Sequence, residues 1–599
     1  MAFSIPHSRI VNHRSYIRGT RSISGLTSSR RVLAPSPDVC VTYSTLGIVD
    51  VTQQVPLIQN FQNATINVPI PQFMLDLPMR HIQLNNNYFN IPPFINPKLS
   101  FNYQFKIFRN IHKSTQQPYA MNFFPLTAIT PFCTDPYDSD NLMLGYRKRI
   151  SPVRPQVNLL LINQLGLFVQ NWLESNLQPL PFLENQYDAL FEQWMEENNS
   201  YTSDKKNMMR DVKNELKLRL NMFLMTEKDL LCKSFPKREF YEVEKFLRLI
   251  NSRSNFFKVL VGPFIHLLEK VIYNLKWFAK GIDPMEMPNE ISKLSKYTVY
   301  VETDYSSYES SFDPYYMDNV ECRLWRYMFA NNPHLLKAIL SSYYIEDQGV
   351  IKPRTQVMIG SNYVAKAVGA RMSGEMWTSL GNGFSNLMNM LFICHNQNVE
   401  CDGFVEGDDG LFGMNSDFIT VNHFTPLGFV IKMKKAFNLE DTDFCGNIFS
   451  SITHHSLLSP EQIVRLTWTC STKYFRCSDS VQEELLRCKA QSCYVQGKYT
   501  PILGPLSLKI IQLLGQGAIR FETSNEWWDR RILKMLSREQ FQPVNINIED
   551  RMLYARRFSI PIDLQLDLEK IIAEATSMQQ LYLPGLMAVS YESGYMSFN

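Results

Sequence analysis

The chain lacks several features that would have settled its class early. It has no run of eighteen apolar residues, the length a membrane-spanning helix needs, and no apolar signal-peptide core near its start. It has little net charge: 60 Lys and Arg against 57 Asp and Glu leave +3, so any surface for a polyanion must be local. Its 11 cysteines are scattered, odd in number and never spaced as CxxC, which argues against a disulfide framework and for a reducing compartment. No GxxxxGK[ST] phosphate loop occurs, which excludes a P-loop ATPase or helicase, and no internal repeat is visible.

What is present suits a large globular chain. The 599 residues are 45% apolar and 20% charged, enough for several subdomains around a sizeable core. Residues 1–37 carry Arg9, Arg14, Arg18, Arg21, Arg30 and Arg31, many serines and no acid. That composition suits a basic, disordered arm, although a mitochondrial transit peptide shares it. Residues 38–157 are rich in Pro, Asn and aromatics and read as loops and short strands of no evident role. Helical periodicity returns from 158, where Tyr187, Leu190, Phe191 and Trp194 fall on one face as a core stripe. The polar cluster Ser200-Tyr-Thr-Ser-Asp-Lys205-Lys206 interrupts the pattern and reads as a helix–helix connection. After 456, helical stretches alternate with breaks such as Pro501-Ile-Leu-Gly-Pro505. His454, His455, Cys470, Cys477, Cys488 and Cys493 fit no tight zinc signature, and buried thiols are the plainer reading.

Three acids carry the chemistry. Tyr297-Thr-Val-Tyr-Val-Glu-Thr-Asp304 alternates as a half-buried strand with Asp304 at its tip. Phe404-Val-Glu-Gly-Asp-Asp-Gly-Leu-Phe412 reads as a β-hairpin with Asp408 and Asp409 at the turn. Adjacent carboxylates raise each other's pKa, so a cation is the natural neutraliser, and an all-oxygen site suits Mg²⁺ and phosphate chemistry. Between these acids, Asp304-Tyr-Ser-Ser-Tyr-Glu309-Ser-Ser-Phe-Asp313-Pro314 leads into a helix with Met317, Val320, Leu324 and Met328 on one face. Ser373-Gly-Glu-Met-Trp-Thr378-Ser-Leu-Gly-Asn382 then opens a helix running to about His395, with Thr378, Asn382 and Asn386 sharing a face.

This order resembles polymerase motifs A, B and C, and with them the palm of a viral RNA-dependent RNA polymerase. Glu244-Lys245-Phe-Leu-Arg248-Leu-Ile-Asn-Ser-Arg253-Ser254 resembles motif F of tombusvirus-like and related positive-strand RNA virus polymerases, with Gly262 and Glu269 at matching positions. Leu427-Gly-Phe-Val-Ile-Lys432-Met-Lys434-Lys435 looks like motif D, and Asp443-Phe-Cys-Gly-Asn-Ile-Phe449 like motif E. The resemblance implies an α+β right-hand polymerase: fingers over 158–296, a palm with an antiparallel sheet over 297–455 (345–372 returning to the fingers), and a helical thumb over 456–599.

It also implies roles. Asp304 and Asp408 would be the principal metal ligands, with Asp409 supporting and Mg²⁺ or Mn²⁺ as the metal. Lys245, Arg248 and Arg253 would neutralise the triphosphate. Lys432 would protonate the pyrophosphate, with Lys434 and Lys435 as rivals. Glu309, Ser373, Thr378 and Asn382 would select the ribose, and here the chain departs from the family, whose second motif A acid is usually Asp. The implied partners are RNA template and product, NTPs and other viral replication proteins. The implied setting is the host cytoplasm, at membranes reached through those proteins. A reverse transcriptase shares the palm, but usually has a bulky residue in place of Glu309 and an apolar one in place of Gly407. A catalytically dead RNA-binding scaffold is the other reading, and the three retained acids argue against it.

Overall fold

The computed structural model describes residues 155–198, 201–241, 247–347, 371–471, 477–515 and 538–583, with shorter pieces elsewhere, including 120–122, 144–146, 148–149 and several strands between 350 and 366. Nearly all of the 1–37 arm, most of 38–157, and Lys245 lie outside the described residues.

The first helices are α1 (Leu159–Asn176), α2 (Tyr187–Glu197) and α3 (Ser203–Lys217). The core stripe read on α2 is buried at Tyr187, Phe191 and Trp194. The polar cluster after it is a helix start, with the Thr202 hydroxyl accepting from the Lys205 N–H at 3.3 Å. Strands β1 (Cys232–Pro236) and β2 (Leu249–Arg253) pair antiparallel and lead into α4 (Asn255–Tyr273). Pro263 inside α4 has no N–H for the carbonyl of Val259, and the Tyr187 hydroxyl donates to that carbonyl at 3.1 Å instead. Next to it, a Cβ on Gly262 would lie 2.6 Å from the Trp194 ring, so glycine is what lets α2 and α4 pack so closely.

Strand β3 (Val299–Tyr305) follows, then α5 (Pro314–Asn319), α6 (Glu321–Met328) and α7 (Pro333–Leu340). The single helix expected after Pro314 is kinked at Val320 (φ −116°, ψ −73°) into α5 and α6. The hydrogen bonds Val320 N→Tyr316 O and Leu324 N→Val320 O survive the kink, and Met317, Val320, Leu324 and Met328 are all buried as the spacing required. Strands β4 (Gln356–Ile359) and β5 (Tyr363–Lys366) return to the earlier sheet, β4 lying parallel to β1, in the order β2-β1-β4-β5.

Helix α8 (Thr378–Asn396) precedes β6 (Cys401–Glu406), β7 (Asp409–Met414) and β8 (Ile431–Ala436). These strands and β3 form an antiparallel sheet in the order β6-β7-β3-β8. One face presents Val299, Val301, Tyr305, Phe412 and Met414 to a core shared with α1, α4 and α8. The other buries Tyr300, Phe404, Leu411 and Ala436 against Phe444 and Phe449. The hairpin β9 (Asn447–Phe449) and β10 (Ser456–Leu458) leads to α9 (Asp479–Gly497), α10 (Leu503–Leu514), α11 (Ile548–Phe558) and α12 (Ile562–Glu574). These four helices share a second core that also takes in Ala120 and Leu126 from the chain's earlier part.

His455 packs into that assembly: its ring lies 3.5 Å from that of Tyr499, and Nδ1 is 2.7 Å from Asp550 Oδ2. Cys488 is buried, which pushes its thiol up to about 11.

Candidate active site

Sheet register sets the carboxylates. Thr303 pairs with Gly410, so in the same register Asp304 comes opposite Asp409 one step beyond that pair. On its other side Asp304 pairs with Lys432 of β8. Glu406 pairs with Asp409, leaving Gly407 and Asp408 as a two-residue hairpin loop. Gly407 takes φ +64°, the positive value that a glycine at the first loop position of such a tight turn supplies without strain. A cleft of about 130 Å³ opens between Asp304, Asp409 and the turn 443–446.

The cleft is electrostatically frustrated. Withdrawal from bulk water, with the charges of Asp408, Asp304 and Glu406, pushes the Asp409 carboxyl up to about 7. Asp409 still opens to the mouth of the cleft, so the cleft walls, not a packed core, restrict its hydration. Asp408 is raised as well, by burial first, then by Glu309 and Asp304, while Arg248 acts in the opposite direction.

Helix α8 is tied to these strands by Asn386. Its Nδ2 donates to the Asp408 carbonyl at 3.1 Å and to the Thr303 hydroxyl at 3.2 Å, and its Oδ1 accepts from the Tyr305 hydroxyl at 3.2 Å. One turn earlier Asn382 is 8% exposed, and its Oδ1 has no hydrogen-bond partner among the described residues. At the head of the helix, Thr378 turns inward on its own loop, its hydroxyl accepting from the Gly374 N–H at 3.0 Å. Gly374 has φ +109° and lies against the backbone of Asn251 in β2, whose N–H donates to the Ser373 carbonyl at 2.5 Å. The Ser373–Gly374 loop therefore rests directly on β2.

The cations divide. Arg248 stays partly open, 3.3 Å from Glu239, and its charge reaches Asp408. Arg253 is placed differently. It is 5% exposed, donates from Nε to Glu375 Oε1 at 2.7 Å, and binds the carbonyl of Leu230 at 2.5 Å. It staples β2 to the loop before α8 and does not face the cleft as an open cation. Lys434 is held by Glu302 at 2.9 Å and Asp443 at 3.1 Å, and Lys435 by the carbonyl of Asp417. Lys432 has no such partner among the described residues and stands beside Asp304. Glu309 is ion-paired with Arg149.

Residues 256–496 match the model of the viral RNA-dependent RNA polymerase family. The chain is 23% identical over 319 residues to the RNA-directed RNA polymerase of Striped jack nervous necrosis virus, covering 50% of this chain and 31% of that one. It is 23% identical over 289 residues to the corresponding enzyme of Greasy grouper nervous necrosis virus and 24% over 288 to that of Atlantic halibut nervous necrosis virus, each match covering 28% of the relative. The matched part thus spans less than a third of the length of these relatives. The family match takes in Asp304, Asp408, Asp409 and all of α8.

Viral RNA-dependent RNA polymerases depend on divalent metal, and the donors here suit one. Asp304, Asp408 and Asp409 offer only hard carboxylate oxygens, and the burial and mutual repulsion that raise Asp408 and Asp409 are what a cation would offset. Among the described residues no three acidic, histidine or cysteine side chains already converge as a closed ligand set. Two site residues were given no role from the sequence. Asn386 had a signal, its place on the Thr378–Asn382 face. Arg149 had none, because its partner lies 160 positions away.

Proposed function

We propose that this chain is an RNA-directed RNA polymerase that copies a positive-strand viral RNA genome, with fingers, palm and thumb arranged as a right hand. The observation that carries the proposal is the shared register of β3 and the β6–β7 hairpin. It brings Asp304 beside the Asp408–Asp409 turn, under α8 and the Ser373–Gly374 loop that precedes it. In this reading β3, β6, β7 and β8 are the palm, the β2-β1-β4-β5 sheet belongs to the fingers, and α9–α12 form the thumb. The Lys245, Arg248 and Arg253 spacing supports kinship with tombusvirus-like polymerases within the family.

Asp304 and Asp408 would hold the divalent cations, Mg²⁺ or Mn²⁺, with Asp409 in support. When bound, these ions supply activation of the primer 3′-hydroxyl and charge stabilisation at the α-phosphate. The chain's own residues do the rest. Arg248, with Lys245, neutralises the incoming triphosphate, and arginine can do so bidentately. Arg253 serves the same surface indirectly, by locking β2 to the Ser373 loop. Lys432, paired across the sheet with Asp304, would give a proton to the leaving pyrophosphate. Glu309 and Asn382, supported by Ser373 and Thr378, bind the ribose, and their unmet hydrogen bonds reject a sugar that lacks the 2′-hydroxyl.

RNA template and product, NTPs and other viral replication proteins would be the partners, at membrane-associated sites in the host cytoplasm. No helix among the described residues is long and apolar enough to cross a membrane. The test is incorporation of labelled NTP or dNTP by the purified chain on a poly-ribonucleotide template with Mg²⁺, beside Asp408→Asn. NTP incorporation that falls about a thousandfold or more in a folded Asp408→Asn supports the proposal. Preferred dNTP incorporation would make it a reverse transcriptase, and RNA binding without incorporation a scaffold.

A further inference from the structure

Glu309 does not stand free in the ribose region. Its carboxylate Oε1 is ion-paired with the Arg149 Nη1, and the two side chains are only 12% and 17% exposed. Arg149 belongs to the part of the chain ahead of the motif F segment, in a stretch whose sequence suggested no role. The described residues next to Arg149 are nonetheless packed in place. Tyr146 is fully buried, and a Cβ on Gly145 would run into the carbonyl oxygen of Leu247, next to Arg248. Among the described residues the Arg149 Nε is buried without a hydrogen-bond partner, and it is Glu309 that holds the guanidinium. Glu309 Oε2 carries no hydrogen bond among the described residues and is the carboxylate's open acceptor.

The physical need for such a partner follows from the departure at Glu309. A glutamate has one more rotatable bond than the aspartate usual at that position. A carboxylate that must meet one hydroxyl loses affinity for every rotamer it can wander into. A half-buried carboxylate is also costly to hold without a counter-charge beside it. Arg149 supplies both restraint and charge, while leaving one oxygen open.

We propose that Arg149 is a positioning residue for ribose recognition: it pins Glu309 through Oε1 so that Oε2 accepts the hydrogen bond of the NTP 2′-hydroxyl. This rests on the polymerase reading and adds to it a specificity determinant supplied from outside the A-to-F motifs.

The experiment uses the full chain, wild type against Arg149→Gln, Arg149→Lys, Glu309→Gln and Arg149→Gln/Glu309→Gln, with folding checked by circular dichroism. The ratio of kcat/KM for ATP over dATP is measured on a poly(U) template. Equilibrium binding of ATP and dATP with Ca²⁺ reads the same preference without turnover. Arg149→Gln should lower the ratio on the order of tenfold, mostly through a higher KM for ATP, as for a buried hydrogen bond left loose. Arg149→Lys should lose part of that, since lysine keeps charge but not the planar fork. The double variant should lose no more than Glu309→Gln alone. Equal losses for ATP and dATP, or full additivity in the double variant, overturn the inference. If Arg149→Gln does not fold, an unchanged ratio in Arg149→Lys overturns it as well. A wild type that prefers ATP in binding, loses that preference in Arg149→Gln, and yet incorporates nothing would support the role of Arg149 while sinking the polymerase reading. A wild type that binds ATP and dATP alike overturns the inference itself.

Discussion

The side-chain amide of Asn386 donates to the backbone carbonyl of Asp408 at 3.1 Å. The same side chain engages the Thr303 and Tyr305 hydroxyls, which flank Asp304 on β3. A single residue of α8 therefore fixes the backbone beneath both principal acids, and it does so from a fully buried position.

Asn386→Ala should cost about 1–3 kcal/mol of stability, because the part-buried Asp408 carbonyl loses its amide donor and the Thr303 hydroxyl keeps only the carbonyl of Gly410 at 3.4 Å. It should also lower kcat more than it raises the KM for NTP, since the carboxylates shift while the triphosphate cations stay put. Thermal melts and steady-state incorporation check both. A variant with wild-type kcat would mean that the turn holds its shape without the clamp.

The Asp409 carboxyl, pushed up to about 7, makes metal-free stability depend on pH. Its unfolded value is about 3.9, so between roughly pH 4 and 7 the folded chain holds a proton that the unfolded chain has lost. Stability from this group is thus full below about pH 4 and falls as pH rises through 7. Asp409→Asn should flatten that slope in melts taken with EDTA. Mg²⁺ replaces the proton, so it should raise the Tm at about pH 8 far more than at about pH 5.5. Equal Mg²⁺ shifts at the two pH values would count against a cation at this turn.

Arg248 and Arg253 should separate cleanly. Arg253→Ala strands Glu375 as an unpaired buried charge and should destabilise the chain by about 3–5 kcal/mol. Arg248→Ala should leave the Tm nearly unchanged and raise the KM for NTP more than it weakens template binding. Template binding itself should fall steeply with salt. An unchanged KM with weaker template affinity would move Arg248 from the triphosphate to the RNA.

Glu309→Gln should lower the preference for ATP over dATP by about 1–3 kcal/mol while Mg²⁺-dependent incorporation survives. The measurement is the kcat/KM ratio, alongside Asn382→Ala. Relaxation in Asn382→Ala with none in Glu309→Gln would mean that Glu309 does not serve the ribose.

Much of the site was legible because it is written locally. Alternation from Tyr297 to Asp304, the Gly407–Asp408 turn and the i, i+4 spacing of Thr378, Asn382 and Asn386 are short-range patterns. A strand period of two and a helix period of 3.6 turn such patterns directly into faces. The kink at Val320 was not legible, since the buried face it serves has the same spacing with or without it.

By itself the sequence determined which residue types would stand at strand tips, in turns and on helix faces, and hence the three acids and the order in which they occur. Tertiary structure alone decided which charges meet. Arg253 reads as one more cation of a basic segment until folding buries it against Glu375, and Lys432, Lys434 and Lys435 are alike until Glu302, Asp443 and Asp417 engage two of them. Arg149 reaches Glu309 across 160 positions of chain. Side-chain pairing depends on the distance between groups in space, and periodicity along a chain carries no information about partners so far apart.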